Sequence, residues 1–335
     1  MDVQQFASQL SDPSWEDPQW HKQHTIDIQL DDSDDEPGQM NDRAKALDDA
    51  ASELNSLCAS NAPLGDVQDF LAKWEHPPSS GQIQPNALAW FDNSNAVRWG
   101  CANSSPDVVR LLLEKGLNPT AMAVSFAIPQ LRLSKDRTIL QLLVDYGWDV
   151  NEPLNDKTPP CMSLLLDDPD LVQWCLSLGA NPNLSSPSGN TIMQRAASYG
   201  SVATMRLLIG HGGDVTQGAL VAHASSFHND GVAGRLEVAQ LLLDNGAPVD
   251  AYYGDNVSDV AKSYDAMLAG RQNALHFAIG GGKRDMAELL IRSGADKHLE
   301  TSSPMKTNGE VVSPIELARI SGQEDIIELL QSTET

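Results

Sequence analysis

The chain has 335 residues, with 46 acidic against 22 basic side chains and a net charge of −24. Nucleic-acid affinity depends on clustered Lys and Arg, so direct DNA or RNA binding is not expected. Apolar content of 41% suits a folded chain, and aromatics at 5% leave a mainly aliphatic core. No apolar run approaches the roughly 18–20 residues that cross a bilayer, and MDVQQFASQL lacks the basic and apolar regions of a secretory signal. Cys58, Cys101, Cys161 and Cys175 are widely spaced, without a Cys-x-x-Cys, and read as reduced core thiols. The expectation is an intracellular chain, cytoplasmic and/or nuclear, that does not bind membranes.

Residues 1–42 hold eleven acids against Lys22, a net of −10, and are predicted to be a disordered acidic leader. Phe6, Leu10, Trp15 and Trp20 lie among acids and prolines, which resembles an amphipathic activation segment of transcription regulators. Ile26, Ile28 and Leu30 alternate ahead of DDSDDE. That pattern resembles a SUMO-interacting motif, which adds an edge strand to its partner and sets acids against a basic rim. Ser33, followed by Asp34, Asp35 and Glu36, fits an acidophilic kinase site. A merely solubilising tail is the plain alternative.

Residues 43–94 are expected to form a divergent helical N-terminal cap. NDRAKALDDAASELNSLCAS (41–60) and LGDVQDFLAKWE (64–75) have helical spacing, and HPPSSGQIQP (76–85) reads as a loop. From residue 95 to 332 the chain repeats. Gly116, Gly147, Gly179, Gly212, Gly246 and Gly294 are separated by 31, 32, 33, 34 and 48 residues. Five and four positions before each stand two bulky residues: Leu111-Leu112, Leu142-Leu143, Trp174-Cys175, Leu207-Leu208, Leu241-Leu242 and Leu289-Leu290. Upstream landmarks begin at Asn95, Thr120, Thr158, Thr191, Gly218, Asn273 and Ser313. The landmark-to-glycine distance is 21 in four units and 27 or 28 in two, and the last unit ends at Leu329-Leu330.

This register resembles the ankyrin repeat, whose opening T-P-L-H-x-A is matched best by NALHFA from Asn273 and by Thr158-Pro159 and Ser313-Pro314. The resemblance implies an all-α solenoid of about seven degenerate units, near 95–119, 120–151, 158–183, 191–215, 218–250, 273–298 and 313–332. Each unit would be an antiparallel helix pair. Thr, Ser or Asn would cap the first helix, Ala196, Ala197, Ala278 and Ala318 would allow close approach, and Gly would end the second. Ankyrin stacks use projecting fingers and first helices, lining a concave face, to grip partners.

Two stretches lengthen units between their helices, IPQLRLSKDR (128–137) and SSFHNDGVAGRLE (225–237), and both read as tolerated loop insertions. His223 and His228, without a third ligand nearby, make a poor metal pair. Two connections are long enough to be fingers, 247–272 and 295–312. The first carries Tyr252, Tyr253 and Tyr264, and the second brings Lys297, His298 and Lys306. Together with Arg195, Ser198, Tyr199 and His276, taken as exposed first-helix positions, the three tyrosines, Lys297 and His298 are the expected partner contacts. The other possibility is that the fingers are loose surface loops.

There is no Gly-rich phosphate loop, G-x-S-x-G, H-E-x-x-H or zinc-spaced cluster, so neither enzyme activity nor a cofactor or metal is expected. The expected function is a non-enzymatic scaffold or adaptor, monomeric, that binds a protein. The alternative is a transcriptional coregulator or transcription-factor inhibitor acting through a DNA-binding partner.

Overall fold

A computed structural model describes residues 37–75, 95–103, 105–226, 234–252, 272–302 and 310–332, with side chains from residue 45. The acidic motifs at Ile26, Ile28, Leu30 and Ser33 lie outside the described residues, as do Tyr253, Tyr264, His228 and Lys306. The chain divides into two units, Met1–Asp49 and Ala50–Thr335. The described part of the first is the opening of helix α1 (Pro37–Ala59), so residues 37–42 are helical. Pro37 suits a helix start, because its missing N–H would have no partner there.

In the second unit, the rest of α1 is followed by α2 (Leu64–Glu75), and Leu54, Cys58, Val67, Phe70 and Leu71 join the core. The repeats then supply α3 (Ala96–Ala102) and α4 (Pro106–Glu114), α5 (Ala121–Ser134) and α6 (Thr138–Asp145), a single 3-10 turn (Cys161–Leu164) and α7 (Pro169–Ser177). They continue with α8 (Ile192–Tyr199) and α9 (Val202–Gly210), α10 (Ala219–Ser225) and α11 (Arg235–Asp244), α12 (Ala274–Gly280) and α13 (Arg284–Arg292), and α14 (Pro314–Ile320) and α15 (Glu324–Ser332). First helices pack on first helices and second on second: α8 on α10, α10 on α12, α9 on α11, α11 on α13. Asn103, between α3 and α4, donates to the carbonyls of Cys58 and Ala59 at 2.7 and 2.9 Å and closes the end of α1. Among the described residues no helix is long and apolar enough to cross a membrane.

The recurrent ending has one physical cause. The −4 residue is fully buried in all six glycine-ended units (Leu112, Leu143, Cys175, Leu208, Leu242 and Leu290), each at 0% exposure. Its carbonyl accepts from the residue after the glycine, as in Leu117 N–H to Leu112 at 3.2 Å and Ala180 N–H to Cys175 at 3.1 Å. The glycine N–H meanwhile bonds the carbonyl three residues back, Gly179 to Leu176 at 3.0 Å. This is a Schellman closure, and it needs a left-handed residue at the turn. The turn glycines supply it, Gly179 having φ +90. One residue is thus a core side chain and the helix-closing acceptor, which fixes its distance from the glycine.

Two local readings are corrected. Residues 128–134 are not a loop: α5 runs 14 residues because Ile128 and Leu131 continue its buried face, with Pro129 accommodated inside. Its end carries Arg132 and Lys135 to Asp167 and Asp168 of the next unit, and the ring of Trp174 lies under Arg137 at 5.4 Å. The third unit's first helix shrinks to a 3-10 turn, because Pro160 disfavours helical conformation at the residue before it and Asp168 already caps α7.

Polar side chains tie the turns together. Asn151 Oδ1 accepts from Asn181 N–H at 2.8 Å and its Nδ2 donates to the Gly179 carbonyl at 3.2 Å. One unit on, Asn183 takes Asp214 N–H at 2.7 Å and donates to the Gly212 carbonyl at 2.8 Å. Asp250 does likewise for Asp296 N–H at 3.1 Å. At the step between, Thr216 stands at the acceptor position and Pro248 at the donor position has no N–H, so that backbone bond cannot form.

Candidate interaction face

The face built by the first helices begins at α3. Arg98 lies there with its guanidinium carbon 4.9 Å from the Trp99 ring centre and 4.3 Å from that of Phe126 on α5. It donates from one terminal nitrogen to Asn95 Oδ1 and Met122 Sδ, both at 3.4 Å, and its Nε is buried without a partner. Trp99 and Phe126 meet edge to face with centres 6.2 Å apart. On α8, Arg195 lies 5.7 Å from the ring centre of Tyr199, one turn away, and its Nε is also buried without a partner. Burial holds both guanidinium groups below their usual pKa range. Tyr199 is 50% exposed, one of six exposed large apolar side chains among the described residues.

Thr191 sets α8 in register. Its hydroxyl accepts from Gln194 N–H at 3.0 Å while Gln194 Oε1 accepts from Thr191 N–H at 3.1 Å, a reciprocal cap. Gln194 also donates to the Gln217 carbonyl at 2.9 Å, fixing α8 against the next finger base. The far end of α8 is closed by Arg235, which donates to the carbonyls of Ala197 and Ser198 at 3.3 and 3.0 Å. His223 lies between, its Nδ1 2.7 Å from the Ala197 carbonyl and its Nε2 2.9 Å from that of Arg235. Burial, with the charges of Arg235 and Lys283, pushes its pKa down to about 4. His223 is therefore a structural link between units.

The expected contacts separate on this geometry. Arg195 and Tyr199 are brought together on α8. Ser198 is half-buried and donates its hydroxyl to the Ala222 carbonyl at 3.1 Å. His276 is not an exposed position: it is 1% exposed, because its ring completes the cap of α12. Its Nδ1 accepts from Asn273 N–H at 3.1 Å and its Nε2 donates to the Leu299 carbonyl at 2.7 Å, and burial lowers its pKa to about 4. Tyr252 is half-buried at a finger base, bridged to Asn273, with its hydroxyl 3.4 Å from the Glu300 carbonyl. Lys297 is half-buried and His298 exposed at the base of the last finger, where β1 (Thr301–Ser302) pairs antiparallel with β2 (Val311–Val312). Sequence reasoning missed Arg98, Trp99, Met122 and Phe126. The available signal was a cation in the landmark NAVRWG, near the place Arg195 holds in TIMQRA.

Residues 161–253 match a family model of three ankyrin repeats, and residues 271–302 match a model of one. The chain carries ankyrin repeats. It is 24% identical, over 78% of its length, to the Caenorhabditis elegans ankyrin repeat and KH domain-containing protein mask-1, of which it spans 12%. It is 24% identical over 50% of its length to the Gallus gallus nuclear factor NF-kappa-B p105 subunit, spanning 20% of it. With the Mus musculus B-cell lymphoma 3 protein homolog it shares 26% identity over 58% of its length and spans 34% of that protein. The chain thus covers about a third or less of each of these relatives. An ankyrin array indicates protein–protein interaction.

Proposed function

We propose that the chain is a non-enzymatic adaptor that takes a protein partner on its first-helix face, with Arg98, Trp99, Phe126, Arg195 and Tyr199 as anchors and the bases of the two long fingers, at Tyr252 and at Lys297 and His298, as flanking contacts. The observation that supports this most is the half-exposed Tyr199 held against the Arg195 guanidinium. Tyr and Arg are the residue types that dominate binding energy at interfaces, and here they are pre-positioned on a capped helix. The test is affinity capture with the intact chain, identification of the bound protein, and its Kd for purified wild type and Tyr199→Ala. A loss of roughly tenfold or more is expected. An unchanged Kd, with thermal stability also unchanged, removes the first-helix assignment.

A second reading is a coregulator or transcription-factor inhibitor working through a DNA-binding partner in the nucleus. It is favoured by the similarity to the nuclear factor p105 subunit and the B-cell lymphoma 3 homolog, and by the apolar residues set among acids in residues 1–42. Fusing residues 1–42 to a DNA-binding domain tests the activating form. Reporter activation is expected on this reading, and silence counts against it.

A further inference from the structure

Among the described residues four arginines are half-buried: Arg98, Arg132, Arg195 and Arg235. Arg132 is satisfied by Asp167, and Arg235, whose Nε is likewise buried without a partner, spends both terminal nitrogens on the carbonyls of Ala197 and Ser198. Several exposed cations also find acids, as Arg206 does in Glu237 at 2.7 Å and Arg284 in Glu288 at 3.5 Å. Arg98 and Arg195 are different. Their contacts are aromatic rings, one amide oxygen and one thioether, and among the described residues no carboxylate reaches either. In a chain with 46 acids to 22 bases, a half-buried cation without an acid is an unsatisfied group that calls for a reason.

Both lie on first helices. Arg98 spends one terminal nitrogen on Asn95 and Met122 and buries its Nε, which leaves its other terminal nitrogen to donate to a carboxylate. Stacked helices lie about 8–10 Å apart. From α3 through α5 and the 3-10 turn to α8 is three steps in the packing order, roughly 24–30 Å. An extended chain rising about 3.3 Å per residue covers that in 7–9 residues.

We infer that the first-helix face recognises an extended partner segment bearing two carboxylate side chains about 7–9 residues apart, one received by Arg98 and the other by Arg195. This rests on the protein-binding reading above and names the chemistry of the partner. The net charge of −24 opposes an acidic segment at long range. At about 0.15 M salt such repulsion is screened beyond about 8 Å, while a charge-assisted pair at contact survives.

The probe is a 16-residue synthetic Ser/Thr-rich peptide with two Glu eight residues apart, beside versions with one Glu, with Glu three apart, and with both Glu→Gln. The full chain carries 15N-arginine, and the Nε–Hε resonances of Arg98 and Arg195 are followed. Both are expected to shift with the eight-spaced peptide, whose Kd should be about tenfold below that of the single-Glu peptide. Arg98→Gln and Arg195→Gln should each remove that gain, and Arg195→Lys should restore part of it. Equal binding of the Glu→Gln peptide, shifts confined to exposed arginines such as Arg110, or no binding of the eight-spaced peptide overturns the inference. The captured partner separates the two claims. If Tyr199→Ala weakens it and neither Arg→Gln does, the paired-acid inference fails alone; if none does, the first-helix reading fails too.

Discussion

His276 donates from Nε2 to the Leu299 carbonyl at 2.7 Å while its Nδ1 accepts the Asn273 amide at 3.1 Å, so one neutral ring joins the start of α12 to the base of the last finger. A second proton on Nδ1 would break the cap, and burial already disfavours the charge.

Acid sensitivity above the carboxylate range follows. His223 and His276 have folded-state pKa values near 4, against an unfolded value of about 6.5. Between those values the unfolded chain takes up protons that the folded chain refuses, so stability is complete above about pH 6.5 and falls as pH drops. The loss is on the order of 3 kcal/mol for each ring across the whole window. The raised Asp250 carboxyl acts in the opposite direction. Urea midpoints between pH 7.5 and 4.5 measure this. His276→Gln, which can keep the cap, should cost about 1 kcal/mol at pH 7.5 and shrink the acid loss by about half. An unchanged slope contradicts the assignment.

The turn ladder should behave as a set of pairs. Asn183→Ala removes the bonds to Asp214 and Gly212, with an expected loss of about 1–2 kcal/mol in denaturant unfolding. At the gap, Thr216→Asn alone should gain little, since Pro248 offers no N–H. With Pro248→Ala added, the double-mutant cycle should show a favourable coupling of about 1 kcal/mol. Zero coupling denies the pairing.

Gly179→Ala meets no atom within 4 Å, so its cost is conformational only. At φ +90 the expected loss is about 1–2 kcal/mol, with Gly179→Asn milder. Equal thermal midpoints for Ala and Gly would argue against a strained turn.

The four thiols are buried, and burial pushes Cys58 and Cys101 up to about 12. The Cys161 thiol is also raised well above its usual range, by its hydrogen bond with Cys175 and by burial. A thiol-exchange reagent at pH 8 should therefore titrate none quickly in the native chain and all four in denaturant. Fast native labelling would show that the core opens locally.

Much of the fold was legible because its determinants are local. Gly179 and Cys175 lie four residues apart and meet in one Schellman closure, so their spacing alone announces the helix end. Ala196, Ala197, Ala278 and Ala318 all reach 0% exposure, as small residues at a close approach should. What failed depends on partners far away in sequence. Asn151 and Asn183 bond amides about 30 residues on. The spacing of Asn273 to His276 was a readable capping-box signal, yet the histidine's burial depends on Leu299. The setting of Arg98 is not legible, because a sequence does not show whether an acid stands opposite. Against the shorter units the run at 128–137 reads as a loop, and Ile128 and Leu131 override that by continuing the buried stripe.

The most direct test of the central claim is amide hydrogen exchange of the intact chain with and without its purified partner. The account predicts slowed exchange in Ala96–Ala102, Ala121–Ser134 and Ile192–Tyr199. Protection confined to the second helices, Pro106–Glu114, Pro169–Ser177 and Arg284–Arg292, with the first helices unchanged, would contradict it.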